Sequence, residues 1–341
     1  MKLWKIQEPI KVKRNIPLSL VQFGPFFGLL FVIALFGILG FTRDDFHESF
    51  FSFYNFKTIL TQTVIIGIGA LGMTLVIISG GIDLSVGSQV ALGTVVIALV
   101  LGDPNAQDLG IFWPLLAAMA AVGACGLMGW FGGFVSAKFG IVPFIVTLGT
   151  MQIARGIAKW LANEQTIATP DNWMQELMSI NPEPSWLIFA PGIWMALFLL
   201  LVLTLILRYT VFGRHVFALG SNENTARLCG INVTFNRILI YTLCGLFAGV
   251  AAVMQYSNLS IGDPTSAVAM ELDIIAAVVI GGGSLRGGEG SAVGSIIGAL
   301  LIAVLKNACV IIGVPTYFQE IIIGGIIIGA VLVDNLKHRI T

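Results

Sequence analysis

The sequence predicts an all-α protein that crosses a membrane many times, and three observations point there. Apolar side chains make up 57% of the 341 residues, charged ones only 11%, and the mean hydropathy is +0.93. A soluble chain is about one quarter charged, so this one has too few polar side chains to cover a globular surface in water. Apolar runs of roughly 20 residues recur along the chain, without the strict alternation of a β-barrel. The 18 basic residues balance 18 acidic ones, which excludes a basic nucleic-acid binder and an acidic disordered tail.

Ten segments are long enough to cross or nearly cross a bilayer: 20–41, 59–79, 84–101, 111–136, 141–162, 189–211, 238–256, 269–283, 291–312 and 319–336. The third and eighth are short and interrupted by glycine. Residues 1–19 form a polar lead carrying Lys2, Lys5, Lys11, Lys13 and Arg14. No small-residue cleavage pattern follows the first run, so a cytoplasmic lead is expected rather than a signal peptide. With that lead inside, Lys138, Arg208, Arg214, Arg227, Arg237, Arg286, Lys337 and Arg339 also fall in or beside cytoplasmic segments, while Arg43 and Lys57 fall outside. The asymmetry puts both termini in the cytoplasm, which requires an even number of spans.

The segment 163–188 carries Pro170, Pro182 and Pro184 with Asp171, Glu176 and Glu183 but no Lys or Arg, and reads as an external loop. Its Trp173 and Trp186 read as interfacial anchors. Glycines four apart, Gly129 and Gly133, Gly245 and Gly249, Gly294 and Gly298, and Gly325 and Gly329, make flat stripes for close helix packing. Cys125, Cys244 and Cys309 lie in apolar runs and Cys229 in a polar loop, so packing residues are expected, not a disulfide framework. The whole chain, 1–341, reads as a single membrane domain.

Three stretches stand out against the apolar background. In the first, GGIDLSVGS (Gly80 to Ser88), the paired Gly80 and Gly81 precede Asp83, Ser85 and Ser88. An acid at membrane depth is costly, so Asp83 sits at the interface, accepts backbone N–H bonds or lines a water-filled cavity, and it can also cap the next helix or contact the transported solute. The second, GGGSLRGGEGSAVGS (Gly281 to Ser295), holds Gly281, Gly282, Gly287 and Gly288 around Arg286 and Glu289. No GxxxxGK[ST] pattern occurs in the chain, so ATP hydrolysis through a P-loop is not expected. A tight cytoplasmic turn or re-entrant break fits this run better. The third, Phe212 to Asn236, offers Ser221 or Asn222 as an N-cap, Glu223 in the first turn and Gly230 as a terminator, giving a helix of about two turns. Such a helix either docks a partner or lies solvated.

Four ordered strings carry a family resemblance: GMTLVIISGGIDLSVGS (Gly72 to Ser88), VPFIVTLGTM (Val142 to Met151), FGRHVFALGSNENTARLCGINV (Phe212 to Val233) and ELDIIAAVVIGGGSLRGGEGSAVGSIIGALLI (Glu271 to Ile302). Together they closely resemble the ribose-type sugar permeases of bacterial ATP-binding-cassette importers, from Leu20 to Leu336. The resemblance implies two permease copies in the bacterial inner membrane, a cytoplasmic ATPase that binds the ATP and Mg, and an external sugar-binding protein. It makes 212–237 the coupling loop, with Gly220, Ser221, Asn222, Glu223, Ala226, Arg227, Gly230 and Ile231 toward the ATPase. Family members often carry paired glycines before the Asn-Glu; here Ser221 follows Gly220, and Ser is the better N-cap of the two.

A neutral monosaccharide, pentose or hexose, is the cargo expected. Basic residues within spans are limited to Arg155, Lys159 and Lys306, and no acidic or histidine relay runs through the bilayer. Gln62, Thr63, Thr147, Thr150, Gln152 and Asn307 either line the path or bond across helices. An ion-coupled secondary transporter using Glu271, Asp273 and Glu320 is the alternative, with those acids placed near span ends. A membrane enzyme or resident metal is not expected, since His47, His215 and His338 are scattered and neither HExxH nor GxSxG occurs.

Overall fold

A computed structural model describes residues 24–40, 49–103 and 110–340. Its helices, in chain order, are α1 (Gly24–Gly40), α2 (Phe53–Ile78), α3 (Val86–Leu101), α4 (Phe112–Phe139), α5 (Pro143–Leu161), α6 (Pro191–Tyr209), α7 (Val211–Ser221), α8 (Glu223–Leu228), α9 (Val233–Leu259), α10 (Met270–Ile280), α11 (Ala292–Ile312) and α12 (Thr316–Ile340). Each of the ten apolar segments corresponds to one helix, and α7 and α8 occupy the polar stretch between the sixth and seventh. The polar lead 1–19 lies outside the described residues.

Length separates the helices into two groups. α2, α4, α6, α9 and α11 are each long and apolar enough to cross a bilayer. α3 has 16 residues and α10 has 11. At ~1.5 Å per residue they rise about 24 Å and about 16 Å, short of a hydrocarbon core of about 30 Å. Both are cut by a glycine break, α3 at its start and α10 at its end.

α2 is the axis of the bundle. Its most apolar stretch is 94% buried against 22% for that of α6, so α2 is the inner helix and α6 a peripheral one. α9, α11 and α10 pack around α2, and α4 packs along α9. The α4–α9 seam is made by glycine. A Cβ at Gly133 would lie 2.9 Å from Tyr241 Cβ, one at Gly249 would lie 2.5 Å from Val122 Cα, and one at Gly129 would overlap the Tyr241 carbonyl. Gly294 and Gly298 likewise press α11 on the carbonyls of Gly281 and Ala277. A Cβ at Gly325 or Gly329 of α12 would meet nothing within 4 Å, so three of the four glycine pairs do packing work inside this chain.

The connections gather at two ends of the bundle. At one end, the 163–188 segment is stitched to the chain between α9 and α10. Strand β1 (Ile167–Ala168) pairs antiparallel with β2 (Ile261–Gly262), Ser257 Oγ accepts from Met178 N at 3.0 Å, and Asn172 donates to Tyr256 Oη at 3.0 Å. Arg155, at the same end of α5, donates to the carbonyls of Pro264 and Ser266 at 3.0 and 2.6 Å. At the other end lie the α2–α3 break, the α6–α9 connection with α7 and α8, and the α10–α11 break. Lys138, Arg208, Arg214, Arg227, Arg237 and Arg286 lie at or near this second end.

Candidate functional site

The three polar stretches are far apart in sequence and meet at one point. α2 ends in a Schellman turn: Gly81 N donates to Val76 O and Gly80 N to Ile77 O, each at 2.9 Å, with Gly80 at φ +81°. That turn leaves the Ile78 carbonyl without an intrahelical donor. The donor comes from the α10–α11 break, where Gly288 N reaches Ile78 O at 2.8 Å. The break is a tight turn, closed by Gly287 N to Ser284 O at 3.0 Å and Ser284 N to Glu289 O at 3.1 Å. Ser291 then caps α11, its Oγ accepting from Gly294 N at 2.9 Å.

Gly220, in the last turn of α7, fills the space between. A Cβ there would overlap Ile78 O and lie 2.5 Å from Gly288 N. A Cβ at Gly287 would in turn lie 2.9 Å from the Cα atoms of both Gly220 and Gly80. Backbone therefore touches backbone across three segments. The sequence marks each of them, but nothing in linear spacing tells that Gly80, Gly220 and Gly287 form one junction.

Beyond Gly220 the α8 helix is built from local signals. Asn222 is its N-cap, with Oδ1 accepting from Thr225 N at 2.9 Å. Ser221 ends α7 instead of capping α8, because α7 runs on through Gly220, so the Ser-for-Gly capping argument does not apply there. Glu223 accepts from Arg227 at 3.1 Å and from Arg237, in the first turns of α9, at 2.6 Å. Gly230, at φ +83°, closes the helix, and Ile231 N returns to Ala226 O at 3.1 Å. Ala226 is the buried contact. Leu228 points outward at 89% exposure, the highest of the large hydrophobic side chains among the described residues. Sequence reading missed Leu228, because an isolated Leu in a polar loop carries no pattern.

α7 is a helix of its own, which the polar stretch Phe212 to Asn236 does not announce. Thr210 caps it through Gly213 N at 3.0 Å, and Gly213, Val216 and Leu219 are buried against the bundle. His215 and Asn236 pair at 3.3 Å across to α9.

Asp83 accepts a backbone N–H bond, as one reading of it expected, but it is not the cap of α3. The N-cap of α3 is Ser85, without a side-chain cap bond. Asp83 stands two residues earlier, 1% exposed, and its Oδ1 accepts from Ser85 N at 2.9 Å and Ser85 Oγ at 2.6 Å. Gln89 Nε2 continues the chain to Ser85 Oγ at 2.7 Å. Tyr241 is buried at the same break, where a Cβ at Gly81 would overlap its hydroxyl.

Gln62, Thr147 and Asn307 do not form one surface. Thr147 is buried, and its hydroxyl donates to Phe144 O at 3.1 Å and reaches Ile82 O at 3.3 Å, beside the α2–α3 break. Asn307 exchanges two hydrogen bonds with Asn55, at 2.8 and 3.0 Å, in the first turn of α2. Those positions are near opposite ends of a 26-residue helix. Gln62 is exposed on the outside of α2. On α5, by contrast, Gly149, Gln152, Gly156 and Lys159 are exposed along one face of a helix whose other face is buried.

Residues 55–331 match the family model described as "Branched-chain amino acid transport system / permease component". The chain belongs to this family. The permease is 39% identical over 291 residues to the ribose import permease protein RbsC of Escherichia coli K12, covering 85% of this chain and 88% of that one. It is 36% identical to RbsC of Haemophilus influenzae Rd over 317 residues, 93% of this chain and 94% of that one. To the L-arabinose transport system permease protein AraH of Escherichia coli K12 it is 32% identical over 323 residues, 95% of each chain. No solved structure matches the permease. Its relatives and its several long apolar helices make it a multi-pass membrane protein and a transport permease.

Proposed function

We propose that the permease is the membrane-spanning subunit of an ATP-binding-cassette importer for a neutral pentose or hexose of the ribose and arabinose type. The observation that carries this is the similarity to ribose and arabinose permeases over 85–95% of the chain, with a capped helix tied to the start of α9 at one end of the bundle. In this reading the ten apolar segments cross or nearly cross a bacterial inner membrane with both termini inside, the short α3 and α10 each completed by its glycine break. The end bearing Arg208, Arg214, Arg227, Arg237 and Arg286 is cytoplasmic, and the 163–188 segment faces an external sugar-binding protein. Asn222 to Ile231 is the coupling helix that seats in a cytoplasmic ATPase, which holds the ATP and Mg, with Leu228 as the apolar anchor. Two copies form the pore, and the exposed face of α5 with Gln152 lines it, since a mid-span Gln facing lipid would be costly.

An ion-coupled carrier is less well supported. Asp273 is engaged by Lys306 at 2.5 Å, which takes one of its three acids out of service. The test is uptake of labelled ribose, arabinose and galactose into proteoliposomes holding the permease with its ATPase and receptor. The expected result is uptake that requires ATP and receptor. Uptake by the permease alone, driven by an ion gradient, overturns the assignment.

A further inference from the structure

We infer that Gly220 is a positioning residue for energy coupling, through which the coupling segment is joined directly to α2, α10 and α11. The inference rests on the proposed importer function and adds the route by which the motion of the ATPase enters the bundle. By chain connectivity alone, α7 and α8 are tied only to α6 and α9. The junction adds a second attachment. Gly220 lies against the Ile78 carbonyl that ends α2, the same carbonyl that receives Gly288 N at 2.8 Å, and Gly287 backs onto both Gly220 and Gly80.

Two features make this a mechanical joint and not incidental packing. Its contacts are backbone to backbone, so no side-chain rotation can absorb a displacement of α7. Its atoms also lie at the end of α2, in the last turn of α7 and in the hydrogen-bonded turn between α10 and α11, and α2 is the most deeply buried of the five candidate spans among the described residues. A shift of α8 by the ATPase therefore moves the inner ends of α2 and α11 together with those of α6 and α9.

Gly220→Ala tests this cleanly. Gly220 is helical, with no left-handed φ, so Ala suits its backbone and only the added methyl acts, as a wedge between α7 and Ile78. The docking face from Asn222 to Leu228 is untouched. The full permease with ATPase and receptor in proteoliposomes should retain ATPase capture and hydrolysis within about twofold, while sugar taken up per ATP falls at least tenfold. Gly123→Ala, a helical glycine with nothing within 4 Å of an added Cβ, should leave all three readouts unchanged. Wild-type uptake per ATP in Gly220→Ala overturns the inference.

A second measurement decides the matter if that variant fails to accumulate. A Cβ at Gly288 would stand 3.5 Å from Ser221 Cβ, within disulfide range. Gly288 has φ +79°, so the reduced cysteine pair is the reference for its strain: in a Cys229→Ser background, Ser221→Cys with Gly288→Cys should cross-link on mild oxidation, with and without ATP, and keep at least half of the uptake of the same pair reduced, because the joint moves as one body. Failure to cross-link, or arrest of transport on cross-linking, overturns the inference. A wild-type permease that captures no ATPase refutes the docking reading instead. The cross-link on the permease alone still reports whether the joint exists.

Discussion

Arg237 Nη2 lies 2.6 Å from Glu223 Oε2, so the first turn of α8 is bound to the start of α9. Glu223 also accepts from Arg227 one turn on, at 3.1 Å. Both arginines are partly in solvent, so each pair contributes at most about 1 kcal/mol. Their consequence is orientation, since a six-residue helix has little stability of its own. Glu223→Lys sets a third cation beside Arg227 and Arg237 and opposes the helix dipole, and Gly230→Val forces a β-branched residue into φ +83°. The double variant should insert in normal amount and capture the ATPase at least tenfold more weakly. Quantitative pull-down from detergent-solubilised membranes checks it, and full capture would leave the stretch an ordinary solvated loop.

Leu228 tests the contact from the partner's side. It is 89% exposed, so Leu228→Ala should leave the melting temperature of the purified permease within about 1 °C. A buried apolar anchor at an interface is worth about 1–2 kcal/mol on truncation, so ATPase affinity should fall about five- to thirtyfold. Unchanged affinity would remove Leu228 from the interface.

Much of this architecture is legible because lipid imposes a simple demand on sequence. A helix that must satisfy its own backbone reads as an apolar run, and the ten runs each become a helix. The two glycine breaks are legible for the same reason, as interruptions that only a satisfied turn tolerates. The junction of Gly80, Gly220 and Gly287 is not, since backbone contact leaves no residue pattern beyond the glycines themselves. Asn307 shows the opposite failure: a polar residue in a span looks functional until Asn55, 252 positions away, is found to satisfy it. Asn222 rather than Ser221 caps α8 because α7 precedes it directly, and α7 was hidden by its own Gly213 and Gly220.

Topology gives a prediction independent of any partner. In a Cys229→Ser background, Glu176→Cys, exposed in the 163–188 segment, should react with a membrane-impermeant maleimide added outside whole cells. Asn224→Cys, exposed on α8, should react only after the cells are opened. The reverse pattern would invert the whole bundle.

Asp83 supplies the last prediction. Its carboxylate is the acceptor for both the N–H and the hydroxyl of Ser85 in an interior site, and Gln89 depends on that hydroxyl in turn. Asp83→Ala leaves two donors buried without a partner, a cost of about 1–3 kcal/mol. Asp83→Asn keeps an acceptor oxygen at the same place and should retain most of the stability. The expected order of melting temperature in detergent is therefore wild type, then Asn, then Ala, with Ala several degrees below the others and the pattern of sugars transported unchanged by either. A normal melting temperature in Asp83→Ala together with altered sugar preference would move Asp83 from the scaffold to the solute path. The Ser85 contacts would then be secondary to a role in recognition.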